Sequence, residues 1–227
     1  DVKAVSFDGP MSGALTGEDL QYLVRDTSDG LRVDLLGLKP GTYSISLGTT
    51  KGTVTQNGIS VSEQDRSGYA HFNYTAGVGA YNDDGTLKAD AKVIYVTDEN
   101  KNSVSVTSKD GTTVKGIGNI LNSAGMDAGS GKTSKGGVAN TNSDIIRKLA
   151  QDGTPLVVRI VGNVTIPEGV TVFDSLDMGG SVGDNGGMAR MKSGKNITIE
   201  GVGNDATVNG WGLHFMASSS EPDFGKS

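Results

Sequence analysis

The first 80 residues alternate apolar and polar side chains over short runs, which is the pattern of half-buried β-strands. Alternating runs extend from Leu31 to Leu35 and from Tyr43 to Leu47, on either side of a Pro40-Gly41 turn. The segment GTVTQNGISVS predicts a hairpin that turns at Asn57-Gly58, a dipeptide favoured in two-residue turns. The run YAHFNYTA, residues 69–76, predicts a further strand. This spacing of strands predicts a small β-sandwich.

One amphipathic helix is predicted in the second half of the chain, from Asp144 to Ala150. Ile145, Ile146 and Leu149 fall on one face of it at helical spacing. An asparagine and a serine just before it can cap its first turn, and Gly153 ends it. The apolar face must cover a hydrophobic core.

The apolar runs around this helix are short, and each is followed by a turn: Val157–Val161, Ile197–Ile199 and Val208–Phe215. Such recurrence predicts a β-solenoid, in which each rung contributes short strands to a stacked core. Glycine suits the corners because it adopts positive φ without steric cost. The segment Gly111–Asn142 is rich in Gly, Ser, Asn and Thr, and it is predicted to form a long loop.

The chain is therefore predicted to hold two domains, residues 1–85 and 86–227, joined by a polar, turn-rich linker at Tyr81–Asp90. The segment GLKPGTYSISL in the first domain resembles fibronectin type III and Ig-like modules. The expected fold class is all-β, with a small β-sandwich followed by the first rungs of a solenoid.

Composition narrows the choice of partner. Glycine accounts for 35 of 227 residues, as expected for a β protein with many turns, and the formal net charge is −6. No basic patch is evident, which argues against nucleic acid as a partner. No window is long and apolar enough to predict a membrane span. The chain has no cysteine and starts at Asp1 without a signal segment, and we expect a mature secreted protein.

Three segments in the last third of the chain resemble the pectate lyase/pectin lyase superfamily, specifically polysaccharide lyase family 1. The family patterns I-x-G-x-I, N-x-T-I-x-G-x-G and a-x-I-x-G-x-G-l-x-I fall on Ile160–Val164, Asn196–Gly203 and Ala206–Phe215, with valine or phenylalanine at three of the isoleucine positions. The resemblance covers about 91–215. It implies a right-handed parallel β-helix, and it places the predicted helix as a cap at its N-terminal end.

The same resemblance implies cleavage of polygalacturonate, an acidic polysaccharide, by β-elimination. In the family an arginine removes the C5 proton, and calcium neutralises the neighbouring uronate carboxylate. Those residues belong to later rungs, so no catalytic residue is carried over to this chain. We expect an N-terminal fragment whose partner is the C-terminal fragment of the same enzyme, with 217–227 as an exposed site of proteolysis. Alone it is expected to be inactive, and also unstable because its last strand has an open edge.

Six residues are candidates for binding roles. Acidic side chains in a glycine-rich loop are candidate calcium ligands, and the alternative is that they form turns: Asp174, Asp177 and Asp184. Arg190 and Lys192 are candidates for an anionic sugar, or are simply solvated charges beside a strand. Trp211 can stack on a sugar ring or fill a corner between glycines.

Two other functions stay open. A polygalacturonase-type solenoid hydrolase would use paired aspartates in place of an arginine. A non-catalytic β-helix surface or carbohydrate-binding protein would need no catalytic group. The chain has only two histidines, His71 and His214, and neither has an identifiable acidic partner for nucleophilic catalysis.

Overall fold

The structure is a computed structural model, and it describes residues 1–63, 79–121, 145–168, 170, 188–191 and 195–215. Strands account for 51% of these residues and helices for 12%, so the protein is mostly β, as predicted. The chain divides into two compact units, Asp1–Lys88 and Ala89–Ser227. No helix in the described ranges is long and apolar enough to cross a membrane.

The first unit contains antiparallel strands and one short helix. In chain order its elements are β1 (Val2–Asp8), β2 (Gly13–Leu15), α1 (Glu18–Leu23), β3 (Val24–Thr27), β4 (Gly30–Val33), β5 (Gly41–Thr49) and β6 (Gly52–Val61). Four strands form a sheet in the order β2-β1-β5-β6, and β3 pairs with β4. Val5, Leu23 and Tyr43 are almost fully buried in this unit.

The prediction of a hairpin turn at Asn57-Gly58 is wrong. Strand β6 runs straight through this dipeptide, and the chain turns instead at residues 50–51, where Thr49 pairs with Gly52. Tyr43 pairs with Ile59 and Ile45 with Gln56, so a single residue of β5 lies opposite Asn57 and Gly58. The dipeptide therefore forms a β-bulge, and Gly58 supplies a φ of 75°.

The predicted linker at Tyr81–Asp90 begins with a folded turn. Tyr81 and Leu87 form an antiparallel bridge. The Asn82 N–H donates to the Thr86 carbonyl at 2.8 Å, and the Asn82 side chain donates to the Leu87 carbonyl at 3.1 Å. Residues 81–88 are therefore held by their own hydrogen bonds within the first unit.

The second unit contains both parallel and antiparallel strands. Its elements are β7 (Lys92–Val96), β8 (Ser105–Thr107), β9 (Thr113–Lys115), α2 (Ile117–Leu121), α3 (Ile145–Asp152), β10 (Leu156–Thr165), β11 (Met188–Met191), β12 (Ile197–Asn209) and β13 (Gly212–Phe215). A parallel sheet has the order β12-β10-β7, a second parallel pair joins β11 to β13, and β8 and β9 form an antiparallel hairpin.

Helix α3 has the apolar face that the sequence predicts. Ile145, Ile146 and Leu149 are each at most 2% exposed, and Gly153 follows the helix with a φ of 67°. These side chains join the hydrophobic core formed by one face of the parallel sheet, the β8–β9 hairpin and α2. The helix thus covers the core, because this contact removes its apolar face from water.

The prediction of a long loop from Gly111 is wrong for its first part. Strand β9 and helix α2 occupy Thr113–Lys115 and Ile117–Leu121, and the residues from 122 to 144 lie outside the described part of the chain. Ile120 is fully buried. Gly118 contacts the Glu168 carbonyl so closely that a Cβ would overlap it, which explains a glycine inside so short a helix.

Candidate functional site

The parallel sheet carries a row of three polar side chains on adjacent strands. Arg159 of β10 pairs in register with Tyr95 of β7 and with Glu200 of β12. Its Nε donates to the Glu200 carboxylate at 2.9 Å, and its Nη1 donates to the Tyr95 hydroxyl at 2.7 Å. Its guanidinium carbon also lies 5.4 Å from the centre of the Tyr95 ring. The row combines an ion pair with a cation–π contact.

This row lies on the face of the sheet opposite to the main core. The neighbours of Arg159 along β10, Val158 and Ile160, both belong to the core cluster, and strand alternation places Arg159 on the other side. The Arg159 side chain is nevertheless only 4% exposed, against 23% for Glu200. Because arginine stays charged in proteins, its burial requires the Glu200 carboxylate as a counter-ion. The pairing with Glu200 keeps the Arg159 guanidinium charged and in one orientation. It leaves the guanidinium little access to a substrate.

A second polar network ties the turn after β7 to the end of β10. The Asp98 carboxylate accepts hydrogen bonds from the Lys101 ammonium at 2.8 Å and from the Thr165 hydroxyl and N–H at 2.6 and 2.8 Å. These donors hold the pKa of Asp98 well below its usual range, with the Lys101 hydrogen bond as the largest cause. The network therefore keeps a charged carboxylate at the end of two neighbouring parallel strands.

A third network fastens α3 to the β8–β9 hairpin. The Asp110 carboxylate accepts hydrogen bonds from the Lys148 ammonium, from the Ser108 hydroxyl at 2.6 Å and from the Thr112 N–H at 2.9 Å. The Lys148 hydrogen bond is the largest cause that lowers the pKa of Asp110. On the same helix, the Asp152 carboxylate accepts the Lys109 N–H at 2.7 Å. The Asp98 and Asp110 networks thus hold neighbouring elements of the second unit together.

Trp211 is part of the hydrophobic core. The residue is 7% exposed, and its indole N–H donates to the Val164 carbonyl at 3.0 Å. This position is the one expected of a corner filler, because the polar handle of the ring is satisfied inside the protein. Stacking of Trp211 on a sugar stays a prediction. The burial leaves little of the indole surface accessible for such a contact.

The other candidates cannot be located as side chains. Arg190 lies on β11, where it pairs in register with His214 of β13. The neighbours of Arg190 on this strand, Ala189 and Met191, are fully buried in the core. Lys192 and the three aspartates, Asp174, Asp177 and Asp184, lie outside the described residues.

The described residues do not supply a calcium site. Among them, no group of three or more histidine, cysteine, aspartate or glutamate residues is placed to hold a metal ion. Hard cations such as calcium need six to eight oxygen ligands, which Asp98 or Asp110 could not provide while they accept hydrogen bonds from lysines. We therefore assign no calcium ligand in the described part of the chain.

Sequence reasoning did not single out the Tyr95–Arg159–Glu200 row. A signal was present, because Arg159 interrupts the apolar run PLVVRIVG and a charge inside a buried strand requires a partner. Glu200 stands in ITIEG and Tyr95 in KVIYV, each at an alternating position. What was missing was the register, which alone decides that these three positions are neighbours.

Comparison of the chain with models of protein families, with curated proteins and with solved structures finds no match. The resemblance to polysaccharide lyase family 1 therefore depends on the short motifs in the sequence.

Proposed function

We propose that this chain is the N-terminal part of an extracellular pectate lyase that cleaves polygalacturonate by calcium-assisted β-elimination. The observation that carries the proposal is a repeated pair of strands. Strands β10 and β11 are followed along the chain by β12 and β13, and each strand of the second pair lies parallel to its counterpart in the first. Such a repeat is what successive rungs of a parallel β-helix would produce.

Stacked aliphatic side chains support the same architecture. Ile94, Val158 and Ile199 are in register on three adjacent parallel strands, and all three contribute to the core. Val164 and Val208 stack in the same way beyond the corner. Identical or similar residues at equivalent positions of adjacent strands are typical of solenoid interiors, because each rung repeats the backbone of the one before.

Strands β10 and β12 both bend near their middle, as the strands of successive β-helix rungs do at a corner. The register shifts between Val161 and Asn163, and residues 203–206 of β12 bulge opposite Gly162. Gly162 and Gly203 both have positive φ, at 68° and 82°. The glycine-rich motifs that resemble the lyase family thus coincide with the bends of the strands. Helix α3 packs on the core and precedes β10 along the chain, which is compatible with the N-terminal cap that the proposal requires.

For the first unit, we propose the fibronectin type III or Ig-like β-sandwich. The Tyr43 hydroxyl donates to the Lys39 carbonyl at 2.9 Å, and the Tyr43 ring is buried. A buried tyrosine at a strand start that bonds to backbone a few residues upstream is a feature of Ig-like sandwiches, known as a tyrosine corner. The antiparallel sheet β2-β1-β5-β6 and the hairpin β3–β4 are compatible with two layers.

The proposal assigns the elimination chemistry to residues beyond those of this chain. Arg159 is not a candidate for the catalytic arginine, because its guanidinium is buried against Glu200 and Tyr95. Calcium and its candidate ligands Asp174, Asp177 and Asp184 stay part of the proposal, as do Arg190 and Lys192 for the sugar. Elimination requires loss of the C5 proton, and it leaves an unsaturated uronate at the new chain end.

Product chemistry tests this proposal. We expect the complete gene product, incubated with polygalacturonate, to release ends that absorb in the ultraviolet. A chelator should abolish the reaction, and added calcium should restore it. Residues 1–227 expressed alone should release none, which serves as the control for contaminating lyase. New reducing ends without ultraviolet absorbance would instead identify a hydrolase, and binding without any product would identify a carbohydrate-binding protein.

A further inference from the structure

Among the described strands of the first unit, β6 is at an edge of the four-stranded sheet. Eight of its ten residues are exposed, and Val54 is 63% exposed although it is apolar. Exposed edge strands usually carry charges or proline, which prevent pairing with another chain. The stretch Gly52–Gln56 carries neither. The strand therefore lacks these protective features up to the bulge at Asn57-Gly58.

The hairpin register shows which backbone groups lie on the open side. Thr49 and Gly52 flank the two-residue loop, and in such hairpins the flanking residues hydrogen-bond to each other. Because antiparallel pairs alternate, the N–H and C=O groups of Thr53 and Thr55 then point away from β5. In the described part of the chain, no strand pairs with β6 on that side.

We propose that this edge pairs with the same edge of a second copy of the chain. The two β6 strands run antiparallel about a two-fold axis through Val54. In this register Thr53 of each copy lies opposite Thr55 of the other, and these pairs exchange the open backbone hydrogen bonds. Val54 faces its own counterpart in a non-hydrogen-bonded pair, where Cα atoms are about 4.5 Å apart and side chains are closest.

Two features favour a second copy as the occupant. The sequence around Val54 is self-complementary, since the two-fold axis matches threonine with threonine and valine with valine, which are favourable cross-strand pairs. No charged residue lies within β6, so identical strands bring no like charges together. An isologous contact of this kind closes as a dimer and does not extend into a fibre. The inference is independent of the proposed lyase function.

Analytical ultracentrifugation tests the association. The short contact predicts weak dimerisation, with a Kd between about 10 μM and about 1 mM. Val54→Lys places two like charges at the axis and should leave the protein monomeric throughout this range. Ser60→Lys adds the same charge to the same strand beyond the bulge, where it is exposed, and should leave dimerisation unchanged. A monomeric wild-type protein, or dimers that persist in Val54→Lys, would overturn the proposal.

Cysteine cross-linking tests the register. The chain has no cysteine, so Val54→Cys introduces a single thiol opposite its own copy. We expect it to form a disulfide-linked dimer on mild oxidation, because non-hydrogen-bonded pairs satisfy disulfide distances. Ser60→Cys, also at an exposed position but outside the paired stretch, should cross-link at least tenfold more slowly. Equal rates for the two variants would show that collision alone forms the disulfide, and would reject this register.

Discussion

At the scale of single residues, the Arg159 guanidinium of the second unit is held by partners on two neighbouring strands. It is almost fully enclosed, and its contacts to Glu200 and Tyr95 come from strands on both sides of β10. Burying a charge is costly unless it is paired and hydrogen-bonded, so the row is sensitive to loss of either partner. Its role in the molecule is to link three parallel strands outside the main core.

Removing the counter-ion should be more damaging than its partial exposure suggests. We expect Glu200→Ala to lower the free energy of unfolding by about 3 kcal/mol, because it leaves a buried guanidinium uncompensated. Glu200→Gln keeps a hydrogen-bond acceptor and should cost less. Urea unfolding followed by circular dichroism measures both.

Lys115→Ala removes an exposed charge in the same unit and serves as the control, with an expected change below about 0.5 kcal/mol. If Glu200→Ala proves as mild as this control, the Arg159 pair contributes no net stability.

At the scale of elements, helix α3 ends as its sequence predicts. The Thr154 N–H donates to the Leu149 carbonyl at 2.8 Å, and the Gly153 N–H to the Ala150 carbonyl at 3.2 Å. This pattern, with positive φ at Gly153, is a Schellman motif. The end of the helix is followed closely by β10, so the motif also directs the chain into the parallel sheet.

Substitution at this position should report backbone strain alone. A Cβ at Gly153 would have open space around it, so steric overlap plays no part. We expect Gly153→Ala to reduce stability by about 1 kcal/mol, because alanine resists positive φ. Gly153→Asn should cost less, since asparagine tolerates this conformation. Thermal unfolding of the two variants measures this difference in stability. A larger loss of stability for the bulkier asparagine would point to a steric cause.

The Asn57-Gly58 dipeptide shows how an element can be misassigned from local sequence. The pair favours a two-residue turn, yet the same preference for positive φ also serves a bulge. The choice depends on the partner strand: pairing of Thr49 with Gly52 places the turn earlier and keeps β6 continuous. Local propensity indicated an irregular backbone at Asn57-Gly58. Pairing with β5 decided that the irregularity is a β-bulge and not a turn.

At the scale of the whole molecule, two carboxylates should make the second unit sensitive to acid. The pKa values of Asp98 and Asp110 are lowered in the folded protein, mainly by hydrogen bonds from Lys101 and Lys148. An unfolded aspartate has a pKa of about 3.9. The folded state therefore holds these protons more weakly, and the stabilisation is present above about pH 4 and lost progressively below it.

We expect the urea midpoint to fall as the pH drops below about 4. Asp98→Asn and Asp110→Asn should each flatten this dependence and lower stability at neutral pH, because the amide cannot pair with lysine. Asp90→Asn removes an exposed carboxylate in the same unit and is the control for the pH dependence alone, because Asp90 has a φ of 59°, a conformation that asparagine tolerates well. Unchanged pH dependence in both single variants and in the double variant would contradict the assignment.

The sequence by itself determined the features that depend on neighbours along the chain. The period of apolar residues marked the buried face of α3, and short apolar runs marked the strands β10 and β12. Glycine marked the end of α3 and the corner at Gly162. These signals survive because helical period, strand alternation and positive φ are local properties.

Only the tertiary structure decided what depends on distant partners. Parallel pairing brings Arg159 within hydrogen-bond distance of Glu200, 41 residues along the chain, and of Tyr95, 64 residues away. Trp211 is a core residue whose indole N–H reaches the Val164 carbonyl, 47 residues away along the chain. Strand register sets such contacts, and a shift of one residue would turn every side chain to the opposite face. That register is a property of the packed sheet, so no single strand encodes it.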